Sequence, residues 1–218
     1  SENFALYDFY CHEGSVDENV FAYSNRVGDQ RALVMYKNRH GVTGGWIRTA
    51  APVAVRQDGA DTPVLHSSTL GVGLAVPDDP GCFVVFYDLS TRHEYLRNAA
   101  ELCQNGMFAE LGEYAFHVFL NFRVLHDTPD GDWARLCAHL AGRGVDSLEQ
   151  ELIQLKHQPL IAAFEACLQA LVSLPDQIKP LEAAVRGYCK LLPAAVSTQI
   201  SLKQLVQILA AAHDPSIT

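Results

Sequence analysis

Val20-Phe21-Ala22-Tyr23-Ser24-Asn25-Arg26-Val27-Gly28-Asp29-Gln30-Arg31-Ala32-Leu33-Val34-Met35-Tyr36-Lys37-Asn38 is the stretch on which the fold turns. Its two ends are rich in β-branched and aromatic residues, and Gly28-Asp29 breaks the run between them. Two strand-like segments around a short Gly-containing turn read as a β-hairpin. Similar short runs lie on either side: Phe4 to Tyr10, Trp46 to Thr49, Val53 to Val55, Leu70 to Val76, and Tyr114 to Leu120. Phe83-Val84-Val85-Phe86-Tyr87, entered from Pro80-Gly81, is apolar without alternation. That pattern predicts a central strand buried on both faces. Gly71 and Gly73 fall inside an apolar run, where glycine marks a bulge or a close backbone approach. A single helical patch interrupts the series from Glu94 to Asn105, with Tyr95, Ala99 and Leu102 at helical spacing and Gly106 as its stop.

Beyond Asp127 the period changes. Asp132 is placed to cap a helix from Trp133 to Arg143 that Gly144 ends, and Ser147 with Gln150 forms a capping box for a second helix carrying Leu148, Leu152 and Leu155. Pro159 opens a third, with Leu160, Phe164, Leu168 and Leu171 on one face. Leu181, Val185, Tyr188 and Leu192 mark a fourth, and Ser201 starts a fifth with Leu202, Leu205 and Leu209. Pro159, Pro175, Pro180 and Pro193 fall at or near helix boundaries in this reading, where a missing N–H is tolerated. The sequence thus predicts an α+β chain: an antiparallel β-sandwich over residues 1–126, then a bundle of four to five short helices over residues 127–218.

Charge and cysteine usage narrow the function classes. There are 25 acidic and 16 basic residues, and both regions are net negative, by −6 before Asp127 (15 acids, 9 bases) and −3 from it onward (10 acids, 7 bases). Neither region offers the basic face that a phosphate backbone needs, so nucleic acid is excluded as the expected partner. No apolar stretch reaches the roughly 20 residues that cross a bilayer, so no membrane partner is expected. The chain enters a strand-like run at Phe4 with almost no lead-in, as a piece of a longer protein would. Cys11, Cys82, Cys103, Cys137, Cys167 and Cys189 include no C-x-x-C pair, and the last three lie in apolar helical patterns. Scattered thiols of this kind read as reduced core residues and place the protein in the cytoplasm.

Few patterns in the sequence carry chemistry. Adjacent acids at Asp17-Glu18, Asp78-Asp79 and Asp130/Asp132 sit beside Gly, Pro or Asn, where turn and cap roles account for them. Residues 127–132 imitate a calcium loop, but Pro129 takes a ligand position and no Glu follows at the required spacing. The nine histidines include no H-x-x-x-H or H-E-x-x-H pair; Cys11-His12 lacks local partners, and His117 alternates with large apolar residues in a strand. Nucleophile-elbow and phosphate-loop motifs are missing. The expectation is no catalytic residue, no metal and no cofactor in this chain. What remains is exposed aromatics: Trp46 beside Gly44-Gly45, with Tyr36 and Tyr10 at strand ends, as candidate contacts for a sugar ring.

Two stretches carry a family resemblance. Arg26, Gly28, Asp29, Arg31 and Asn38 lie in the hairpin quoted above. The hairpin resembles the one that opens the β-sandwich following the catalytic barrel in alpha-amylase-family glycoside hydrolases. Phe83 to Leu89, Glu94 to Arg97, Glu110-Leu111, Tyr114 and His117 to Leu120 are similar to the distal part of a comparable domain in large bacterial amylase-like proteins. The helical tail is not part of the usual amylase sandwich. The resemblance implies that an intact parent hydrolyses or transfers α-linked glucosides by the retaining, two-carboxylate route. The family's catalytic acids come from barrel loops, and nothing here matches those loops. The chain is therefore expected to be a non-catalytic C-terminal accessory region whose partner is the barrel of the same parent. A carbohydrate-binding module for α-glucan and a protein-interaction domain using the helical tail stand as alternatives. The accessory reading expects an exposed apolar patch where the barrel would pack.

Overall fold

A computed structural model describes residues 3–55, 64–172 and 178–191. In chain order the elements are β1 (Ala5–Cys11), β2 (Val20–Val27), β3 (Gln30–Lys37), β4 (Thr43–Ala50), β5 (Val53–Val55), β6 (Val64–His66), α1 (Leu70–Gly73), β7 (Cys82–Asp88), β8 (His93–Asn98), α2 (Ala99–Asn105), β9 (Met107–Leu111), β10 (Phe116–His126), α3 (Asp132–Leu140), α4 (Leu148–Val172) and α5 (Ile178–Leu191). Eight strands form one antiparallel sheet in the order β8-β7-β10-β3-β2-β1-β4-β9, and β5 with β6 makes a separate two-stranded ribbon. The hairpin forms as its turn chemistry requires, with register running from Val20↔Lys37 to Val27↔Gln30.

Two short connections force this sheet to curl. β8 and β9 are its opposite edges, which in a flat sheet would lie about 34 Å apart at ~4.8 Å per strand. Yet the seven residues of α2, a rise of only about 10 Å, lead from the end of β8 to the start of β9. Likewise β9 and β10 are five strands apart, about 24 Å if flat, while residues 112–115 reach at most about 18 Å from Leu111 to Phe116. The sheet closes on itself until β9 approaches β10. Lys37 N–H donates to the Ala115 carbonyl at 2.9 Å, which ties that short link to the end of β3.

Strand alternation then sorts the two faces. Phe9, Ala22, Leu33, Met35, Ile47, Val84 and Phe86 point into the concave side and share one core with Leu70 and Leu74 of the α1 region and Leu102 of α2. Inside it the Tyr7 hydroxyl meets Ser24 Oγ at 2.7 Å. β7 is buried from Cys82 through Phe86, as its unbroken apolar run predicts. Its position is one strand in from the edge, and α3 packs against the adjoining β8. Leu136 and Leu140 of α3 are fully buried.

Several expectations change. The eight strands belong to one curled sheet, so what stands is a mixed α+β chain with an antiparallel sheet and, among the described residues, five helices. Leu70 to Val76 is not a strand but a helical turn capped by Thr69, whose side chain accepts from Val72 N–H; short apolar runs do not separate the two states. Gly71 does mark a close approach, because a Cβ there would strike Cys103 Sγ on α2. The patch from Glu94 to Asn105 is strand to Asn98, with Asn98 then capping α2. Asp132 is the first residue of α3 rather than its cap; Asp127 Oδ1 accepts from Trp133 N–H instead, at 2.9 Å. That helix ends at Leu140, where Ala141 adopts the left-handed conformation, ahead of Gly144. Ser147 does cap α4, accepting from Gln150 N–H at 3.3 Å. Pro159 lies within α4 rather than opening a new helix, because strong helix formers on both sides outweigh its one missing hydrogen bond. The helix expected from Ser201 lies outside the described residues. Contacts divide the chain into residues 1–152 and 153–218, while the change of periodicity falls at Asp127.

Gly106 ends α2 at φ +77°, and an added Cβ would collide with the Ile47 carbonyl oxygen and Arg48 Cα on β4. Gly106→Ala is expected to lower unfolding free energy by about 2–4 kcal/mol, combining backbone strain with overpacking. A shift of the urea midpoint at unchanged slope checks this.

Candidate functional site

The convex face of the sheet carries the residues that the sequence singles out. On β10, β3 and β2 the register Phe116↔Tyr36↔Phe21 sets three aromatics side by side, and Phe116 and Phe21 are each 52% exposed. One pleat along, Val118↔Val34↔Tyr23↔Leu6 continues the apolar surface onto β1, with Phe4 against Tyr23 at a ring distance of 5.6 Å. Farther round, Tyr10↔Trp46↔Phe108 crosses β1, β4 and β9. A polar solvent face would alternate charged residues here; this one alternates rings and aliphatics, which marks a contact surface.

Trp46 is half-buried. His12 meets its ring edge-on at 4.8 Å and 83°, and Phe108 lies 4.8 Å away. Tyr36 is exposed, and its hydroxyl donates to Asn38 Oδ1 at 3.1 Å. Both face outward, but β2 and β1 separate their strands, so they stand about 14 Å or more apart and do not converge on one sugar ring.

A second cluster forms where β7 turns into β8. Asp88 is fully buried and its carboxylate is saturated: His117 Nδ1 lies at 2.7 Å, Ser90 gives its N–H and hydroxyl, and Thr91 Oγ1 donates at 3.1 Å. Burial alone would raise the Asp88 pKa, but these donors, His117 first, outweigh it and hold it at about 2. The same hydrogen bond to Asp88 raises His117 above the ordinary 6.5, against the effect of its own burial. Ser, His and Asp meet here without making a hydrolytic triad. Ser90 Oγ lies 3.1 Å from Nδ1, the nitrogen already on Asp88, while Nε2 faces the Glu110 carbonyl oxygen at 3.4 Å. A base that shares one nitrogen between acid and hydroxyl cannot relay a proton from serine. The sequence shows His117 as a strand histidine; Asp88 is invisible as its partner because the pair forms only through the β7–β10 ladder.

Asp79, Cys82 and Asp17 have structural partners. Cys82 Sγ contacts His126 Nδ1 at 3.3 Å and donates to Asp79 Oδ2 at 3.5 Å. Desolvation and Asp79 both raise its pKa, the opposite of what a nucleophilic thiolate requires. Asp79 also accepts from Gly81 N–H at 2.8 Å, and Asp17 accepts from Asn19 while lying 3.9 Å from the buried Lys37 ammonium. Among the described residues, no group of three or more His, Cys, Asp or Glu is arranged to hold a metal ion, and no helix is long and apolar enough to cross a membrane. All six cysteines are free thiols. No family model, curated protein or solved structure matches the chain.

The Asp88–His117 pair sets opposite pH limits. Its histidine contribution is fully present below 6.5 and is lost as pH rises through the raised folded value. Its carboxylate contribution is present above 3.8 and is lost as pH falls through about 2. Thermal midpoints are expected to fall as pH is raised above 6.5, and His117→Gln should flatten that slope. Asp88→Asn should cost about 2–4 kcal/mol near pH 6, by removing the charge from a fully hydrogen-bonded buried site.

Proposed function

We propose that this chain is the non-catalytic C-terminal accessory region of a large alpha-amylase-like glycoside hydrolase, and that it supports the catalytic barrel of the same parent. One observation carries the reading: the convex sheet face is apolar and exposed across β10, β3, β2 and β1, as a surface meant to be covered would be. The hairpin that carries the family resemblance, with Arg26, Gly28, Asp29, Arg31 and Asn38, supplies two of those strands. In this reading the curled sheet plays the part of the β-sandwich that follows the barrel. The helices after Asp127, α3, α4 and α5 among the described residues, are its added helical region, and the parent acts on α-glucans in the cytoplasm by two barrel carboxylates. No side chain of this region enters the reaction, and it contributes by covering and stabilising the barrel.

A carbohydrate-binding module is the second reading, favoured by the half-buried Trp46 with His12 and Phe108 around it. A third draws on α4, where Ile161, Phe164 and Leu168 stand exposed at helical spacing and suit a protein contact.

Titration of the chain with maltoheptaose and soluble starch, by calorimetry and affinity electrophoresis with a hydrolysis assay alongside, separates these. The accessory role expects neither binding nor hydrolysis. Binding lost in Trp46→Ala supports the module instead, and hydrolysis overturns the proposal. On the sheet face, Phe21→Ser with Phe116→Ser should raise solubility while changing stability by only about 0.5 kcal/mol per site, as outward positions do.

A further inference from the structure

The layer over the convex face is only half built. On β7, Phe83 and Val85 alternate with the core residues Val84 and Phe86, so they point to the convex side, yet both are buried. Leu96 of β8, the register partner of Val85, is buried as well. α3 packs on β8, with its Leu136 and Leu140 buried. The next strands in the sheet, β10, β3 and β2, keep their rings in solvent: Phe116 and Phe21 are 52% exposed, and Tyr36 and Tyr23 are 36% exposed.

This bare strip has the dimensions of one helix. From β10 across β3 to β2 is two strand spacings, about 10 Å, which is the width of a single α-helix. Phe21 to Val27, the first and last outward positions of β2, span about 20 Å, the length of about 13 helical residues. The outward positions of β2 (21, 23, 25, 27), β3 (30, 32, 34, 36) and β10 (116, 118, 120) include no charged residue. Their polar groups are Asn25, Gln30 and two tyrosine hydroxyls, of which that of Tyr36 already donates to Asn38.

A sugar needs convergent polar groups, which this strip does not offer. A second copy using the same strip would set one convex surface on another and cover little beyond the central strand of each. An amphipathic helix matches the strip in width, length and polarity, and it continues the layer that α3 begins. We infer that the strip of β10, β3 and β2 seats one amphipathic helix of about 13 residues from the covering partner, laid along β3. Its source rests on the reading above: the outside of a barrel is a ring of helices, and the parent's barrel supplies one of them.

Two peptides of one composition test this on the full chain. Ac-Leu-Lys-Glu-Leu-Leu-Glu-Lys-Leu-Lys-Glu-Leu-Leu-Lys-NH2 is apolar at helical spacing, and Ac-Leu-Lys-Leu-Glu-Leu-Lys-Leu-Glu-Leu-Lys-Leu-Glu-Lys-NH2 is apolar at strand spacing. The first should bind about tenfold or more tighter, gain helical circular dichroism on binding, and saturably shift the Val34 and Val118 methyl signals. Val34→Lys, on the central strand, should abolish that binding, while Val42→Lys, exposed in the loop between β3 and β4, should leave it intact. The comparison of the two peptides needs no variant, so it holds even if Val34→Lys misfolds. Equal binding of both peptides, binding without a gain in helix, or unmoved Val34 and Val118 signals would each overturn the proposal. So would a dimer in sedimentation that Phe21→Ser with Phe116→Ser returns to monomer, because the strip would then belong to a second copy. The starch titration decides the parentage separately, since neither peptide reports on sugar.

Discussion

Closure of the sheet is the constraint on which everything else rests. Seven helical residues between β8 and β9, and four residues between β9 and β10, hold the edges of an eight-stranded sheet within a short reach. Once those links are fixed, the concave side has room for one packed core and two short helices. The convex side is left turned to solvent with its rings exposed. Gly106 and Gly71 are glycines for the same reason, since both stand where closure presses backbone or a cysteine against the helical link.

That constraint also explains what could be read from the sequence. The hairpin was legible because its signal is local: two apolar runs and a Gly-Asp turn, whose arithmetic makes Arg26 and Arg31 partners. The two-sided burial of β7 was legible from its unbroken apolar run. Leu70 to Val76 misled because a buried helical turn and a buried strand share one composition. Glu94 to Asn105 misled because strand β8 precedes the helix without any break residue. That the strands form one curled ladder was not legible at all, since order in a sheet depends on contacts between distant segments.

The chemistry divides in the same way. Trp46 and Tyr36 stood out as large rings near turns, and both do lie on the outer face, but their spacing is a property of strand order. Asp88, the most strongly hydrogen-bonded carboxylate in the sheet, carries no signal in its neighbours Tyr87 and Leu89. Its role emerges from a hairpin turn that folds Ser90 and Thr91 back onto it and a ladder that brings in His117. Electrostatics here are devoted to fastening a turn, and the acids flagged at Asp17 and Asp79 behave alike.

The pairing of β3 with β10 has a consequence for synthesis. β3 ends at Lys37 and β10 begins at Phe116, so about 80 residues must leave the ribosome before the inner edge of β3 finds its partner, some 4–16 s at ordinary elongation rates. During that interval β1 to β4 can already stand as a four-stranded sheet in the order β3-β2-β1-β4, with Leu33 and Met35 uncovered and both edges, β3 and β4, unpaired. Truncations ending before residue 116 lack β10 altogether and leave the inner edge of β3 without its partner.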